Sequence, residues 1–142
     1  MSGTNEVIYK RAKELARTLD KHNISIAVKL ILMDLGFPIH LDGFGYLRLT
    51  IPLGFKTPSQ IVIGELLDKV GQMYVPQVDQ KSVISAVEKA IKCAWKDRDT
   101  DIWRMYFPRY ILIRRKVPSV LEVVSMLIYF LELWQECYEK EA

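Results

Sequence analysis

A chain of 142 residues, half of them hydrophobic, is the right size for one compact domain with its own core and is too apolar for a disordered tail. The net charge of +3 conceals an asymmetry: residues 81–116 carry ten Lys and Arg against four acids (+6), whereas residues 117–142 carry five Glu and one Lys (−4). That balance points to an anionic partner for the middle of the chain and excludes neither a regulator nor a scaffold.

In chain order, the opening residues contain no apolar run long enough for a secretory signal. VIYKRAKELARTL (7–19) places Val7, Ala12, Leu15, Ala16 and Leu19 at helical spacing, so residues 1–23 read as an amphipathic N-terminal helical extension to a main unit over 24–142. A second helix is expected from Ile24, ending at Gly36 with Pro38 just beyond. The segment GFGYLRLTIP (43–52) is expected to begin flexibly and to hold a short helix ended by Pro52.

Thr57, Pro58 and Gln60 form a start signal for a helix through SQIVIGELLDKVGQMY (59–74), whose Gly64 and Gly71 make it dependent on tertiary packing. After the turn VPQV, Asp79 is placed to cap QKSVISAVEKAIKCAWK (80–96). There Val83, Val87, Ala90, Ile91 and Ala94 share one face, and Lys81, Ser82, Ser85, Glu88, Lys89, Lys92 and Lys96 share the other. Two helices joined by a turn, the second with a basic outer face, form a helix-turn-helix pattern over about 60–95.

Asp99 is positioned to cap a short helix that Pro108 closes, and YILIRRK (110–116) alternates weakly, as an extended connector would. Ser119 and Glu122 form a capping box for a long C-terminal helix that is apolar nearly all round. Only nine uncharged residues separate Glu122 from Glu132, too few for a membrane span, which takes about 20. A helix apolar on every side must be covered on every side, so Leu127, Phe130, Leu131 and Trp134 are candidates for a dimer interface. The expected architecture is all-α: a helix-turn-helix-containing bundle of about six to seven helices.

Nothing in the chain signals catalysis, a metal or a cofactor. Cys93 and Cys137 stand apart without metal-ligand spacing and read as buried free thiols of a cytoplasmic protein. His22 and His40 have no nucleophile beside them, and Asp97, Asp99 and Asp101 lack the glycine and distal glutamate of a calcium loop.

The stretch ILMDLGFPIHLDGFGYLRL (31–49), with its core L-G-F-P-I-H-L-x-G-F-x-Y-L-R, resembles a signature of the C-terminal effector domain of the stage zero sporulation protein A family, the response regulators that control entry into endospore formation. AIKCAW (90–95), DIW (101–103) and KVPSVLEVVSML (116–127) continue the resemblance in order over about residues 24–130, and no part of the chain resembles the family's receiver domain. The resemblance implies an all-α fold whose helix-turn-helix docks in the DNA major groove. Counted without gaps from Tyr46 to Trp95, it places Ser82, Ser85 and Glu88 where the family carries arginines. A shift of one helical turn would instead align VEKAIK (87–92) with V-E-R-A-I-R, making Lys89 and Lys92 the substitutes. The ungapped register is preferred because it keeps Asp79 as the cap and the tryptophan in place. The two glycines of the preceding helix and the Val75-Pro76 turn depart from the family pattern.

The function expected is therefore a DNA-binding transcriptional regulator with double-stranded DNA as partner and no membrane association. Gln80, Lys81, Ser82, Ser85 and Lys89 are the base-edge candidates, and Lys92, Lys96 and Arg98 the phosphate candidates. The alternative is an interaction module that keeps the effector fold without sequence-specific reading and acts by homodimerisation or by heterodimerisation with a related regulator.

Overall fold

In the computed structural model, which describes residues 3–18, 23–56 and 62–141, every regular element is a helix. In chain order these are α1 (Gly3–Thr18), α2 (Ile24–Asp34), α3 (Asp42–Lys56), α4 (Ile63–Gln72), α5 (Gln80–Lys96), α6 (Thr100–Trp103), α7 (Arg109–Leu112) and α8 (Val120–Glu141). The all-α expectation and the long last helix are both met. Among the described residues no helix is long and apolar enough to cross a membrane.

The ends of these helices follow local chemistry. At the end of α2, Gly36 takes φ +87, which a side-chain-bearing residue adopts only with strain. Its N–H donates to Met33 O at 3.0 Å and the Phe37 N–H to Leu32 O at 3.0 Å, the two bonds of a Schellman motif. Asp99 caps α6 by accepting from the N–H groups of Asp101 and Ile102. Ser119 and Glu122 close the expected capping box, with Ser119 N–H donating to Glu122 Oε1 at 3.0 Å and Glu122 N–H to Ser119 Oγ at 3.1 Å. Arg114 adds a bidentate grip on the same carboxylate at 2.8 and 2.9 Å. That pairing holds Glu122 at a pKa of about 2, below the usual carboxylate range.

Three boundaries differ from the expectation. Pro52 does not end α3, which runs on to Lys56. A proline in a helix interior costs about 3 kcal/mol, and here the burial of Phe44, Leu47 and Ile51 in the central helix outweighs that local cost. The expected cap at Thr57, Pro58 and Gln60 lies outside the described residues, and Val62 is extended (φ −94, ψ 105), so the described α4 starts at Ile63. The connector 110–116 is helical at its start, as α7, rather than extended.

α3 is the hub, touching α2, α4, α5 and α8. α1 lies along α8 and turns Ile8, Ala12 and Ala16 into the same core that holds Trp134 and Cys137. Leu127, Phe130, Leu131 and Trp134, expected to be available to a second copy, are each at most 1 % exposed. The chain's own helices cover them, so no face of α8 carrying these four side chains is open to a partner.

Two side-chain clusters join the ends of the bundle. The Trp103 indole N–H donates to Leu35 O at 3.0 Å, and its ring stacks on Phe107 and meets Trp95 edge-on. Asp34 accepts from the Tyr106 hydroxyl at 2.6 Å and from Arg11 at 2.9 Å, fastening α1 to α2. Burial is the main reason the Tyr106 hydroxyl titrates far above an ordinary phenol, so it stays a donor to Asp34.

Candidate nucleic-acid interface

α5 is fixed at its start by a charge-assisted cap. The Asp79 carboxylate receives the Ser82 hydroxyl and, at 2.7 Å, the Ser82 N–H, which lowers its pKa. α4 and α5 are locked together by Val78 N–H donating to Gly71 O at 3.0 Å and by the Gln80 amide donating to Gly64 O at 2.7 Å. Residues 73–79 form the turn between them, longer than the three or four residues common in this motif. Tyr74 in that turn packs edge-on against Tyr46 of α3, with ring centroids 5.2 Å apart.

The inner face of α5 then docks on α3. Val83, Val87, Ala90, Ile91 and Ala94 are buried, as the periodicity predicted. Gly43 lies so close to the Ala86 carbonyl that a Cβ there would collide with it. This close approach of two backbones is a use of glycine that the sequence pattern did not disclose.

Lys81, Ser82, Ser85, Glu88, Lys89, Lys92 and Lys96 are all exposed, so the predicted outer face stands clear of the protein. Both sets of residues that the two alignment registers would put in place of the family's arginines lie on this face. Its 17 residues span about 25 Å, and a helix of this kind fits a major groove about 12 Å wide. Four lysines against one glutamate give the face a positive character.

Three predicted positions are already engaged within the chain, the first being Ser82, whose hydroxyl is held by the Asp79 carboxylate. The Gln80 amide serves the α4 contact, though the residue is itself exposed. Arg98 stacks over the Trp95 ring, 3.6 Å from guanidinium carbon to centroid, and donates to Trp95 O at 2.8 Å. Its side chain thus closes the end of α5 instead of standing free beside Lys96. Cys137 is buried as expected, but Cys93 is exposed on the flank of α5. Among the described residues there is no cluster of three His, Cys, Asp or Glu able to hold a metal.

A family model described as sporulation initiation factor Spo0A C terminal matches residues 28–131. The match runs from α2 into α8 and includes the whole of α4, the turn and α5, while α1 and the end of α8 lie outside it.

Proposed function

The chain belongs to the Spo0A C-terminal family of DNA-binding sporulation-initiation effector domains, and on that premise we propose that it is a cytoplasmic, sequence-specific transcriptional regulator that inserts α5 into the major groove of double-stranded DNA. The carrying observation is the outer face of α5, exposed and basic on a helix whose start, inner face and end are all fixed.

In this reading Lys81, Ser82, Ser85 and Lys89 meet base edges near the helix start, with Gln80 setting the entry, while Lys92 and Lys96 meet phosphates. Arg98 acts through its stack on Trp95, which holds the end of α5 in place. Bidentate arginine–guanine pairs are each worth about 1–3 kcal/mol of discrimination. Serine reads less sharply, and Glu88 is suited to accepting from a cytosine amino group. The DNA site is therefore a different one from that of relatives that carry arginines here.

The test is binding of a DNA duplex by the wild type and by a Lys81→Ala/Lys89→Ala variant across a range of salt concentrations. Each lost phosphate contact reduces the slope of log K against log salt by about 0.9, and lost base contacts lower affinity at every salt concentration. Unchanged affinity and slope would remove α5 from the interface.

A further inference from the structure

The loop between α7 and α8 presents three consecutive cations, Arg114, Arg115 and Lys116, all exposed. Glu88 and Lys92 of α5 share one surface cleft with Val117, Pro118 and Ser119, so the end of this loop borders the outer face of α5. The three cations are not equivalent. Arg114 is committed to Glu122 by its bidentate bond and so fixes the loop on the first turn of α8. Val117 and the buried Pro118 seat the other end against the body. Between these anchors Arg115 and Lys116 remain outside any ion pair among the described residues.

Arg115 also takes φ +54, the only positive φ at a non-glycine residue among those described. Glycine would adopt this left-handed conformation without penalty, whereas arginine is strained there. A strained, exposed, unpaired cation at a turn anchored on both sides is placed to be used. A helix lying in the major groove has a sugar–phosphate strand along each flank, and the end of the loop that follows Lys116 borders the Glu88–Lys92 side of α5.

We propose that Arg115 and Lys116 form a second DNA-phosphate contact, a clamp on the strand flanking the groove that α5 occupies. The inference rests on the DNA-binding reading above. It assigns to the loop a sequence-independent task, complementary to the reading face, in which the two cations also offset the repulsion between Glu88 and the backbone.

The experiment measures binding of a mixed-sequence DNA duplex, by fluorescence anisotropy over a salt series, for four proteins: wild type, Lys92→Ala/Lys96→Ala, Arg115→Ala/Lys116→Ala and Arg115→Gly. The loop double variant is expected to lose about 1.8 from the slope of log K against log salt, and Arg115→Gly about 0.9. Arg115→Gly should at the same time melt at a higher temperature, because it relieves the left-handed strain. A purely structural role for the loop would leave the slope untouched in a protein so stabilised. If the loop variants keep the wild-type slope while Lys92→Ala/Lys96→Ala lowers it, the clamp is overturned and DNA binding through α5 stands. If the wild type itself shows no salt-dependent binding, both fall.

Discussion

Replacing Gly43 with alanine tests whether α3 dictates the position of α5. A Cβ at residue 43 would meet the Ala86 carbonyl carbon and the Ala90 Cβ each at 2.8 Å, and the Ala86 oxygen closer still. None of these atoms can swing away, because two are backbone and the third is a Cβ. Overpacking of this kind costs about 1–3 kcal/mol, offset by at most about 1 kcal/mol of helix propensity gained over glycine. With the full offset the net is a destabilisation of up to about 2 kcal/mol, or a fall in Tm of up to roughly 8 °C for a chain this long. Gly45→Ala is the matched control on the same helix. Its nearest new contact is the Tyr74 hydroxyl at 3.5 Å, an ordinary van der Waals distance, so it keeps the propensity gain and should melt slightly higher than wild type. Thermal melts followed by far-UV circular dichroism compare the three. A Gly43→Ala protein melting at or above Gly45→Ala would refute the close approach of α3 and α5.

Other outcomes follow from the same geometry. Glu122→Gln keeps the capping geometry but loses the charge that Arg114 grips, costing about 1 kcal/mol at neutral pH after allowing for solvent screening of a partly exposed pair. The folded-state pKa of Glu122, about 2, lies below its unfolded value, so this contribution is present above about pH 4–5 and is lost as pH falls through the folded value. Urea titrations at several pH values should show the gap between the two proteins closing towards pH 2, and a gap unchanged by acid contradicts the pairing. Tyr106→Phe removes the hydroxyl that donates to Asp34 and should cost about 1–2 kcal/mol in a denaturant midpoint experiment, whereas no loss would show that Arg11 alone fastens α1 to α2. Of the chain's two cysteines, Cys93 is exposed and Cys137 buried, so a thiol reagent should modify one site in the native protein. Duplex DNA should slow that reaction, because Cys93 lies between Lys89 and Lys96 on α5, and an unaltered rate speaks against groove insertion.

What could be read from the sequence was what local contacts decide. Gly36, Asp79, Asp99 and the Ser119–Glu122 box are side-chain-to-backbone or backbone-conformation signals spanning a few residues, and each stands where the sequence places it. The outer face of α5 was equally legible, because helical periodicity separates Val83, Val87 and Ala90 from Lys81, Ser85 and Lys89 without knowledge of any neighbour. The rest depends on which element lies opposite. Pro52 signals a helix end locally, yet its helix is the central one and burial carries it through. The apolar surround of α8 leaves open whether α1 or a second copy covers Trp134, and α1 covers that region. Arg98 reads as a free cation until Trp95 is found beneath it, and Gln80 as a groove residue until the Gly64 carbonyl is found within reach. Cys93 departs from its expected burial for a simpler reason: it falls where the buried and exposed faces of α5 meet, where the general preference of cysteine for the interior does not decide the side.

The central claim is that the exposed face of α5 reads DNA sequence. Selection of bound duplexes from a random pool, run in parallel with the wild type and with Lys81→Ala/Lys89→Ala, tests it most directly. The account predicts an enriched motif for the wild type, distinct from one read by arginines, and loss of that enrichment in the variant. Absence of any enriched sequence for the wild type, even at low salt, would contradict it.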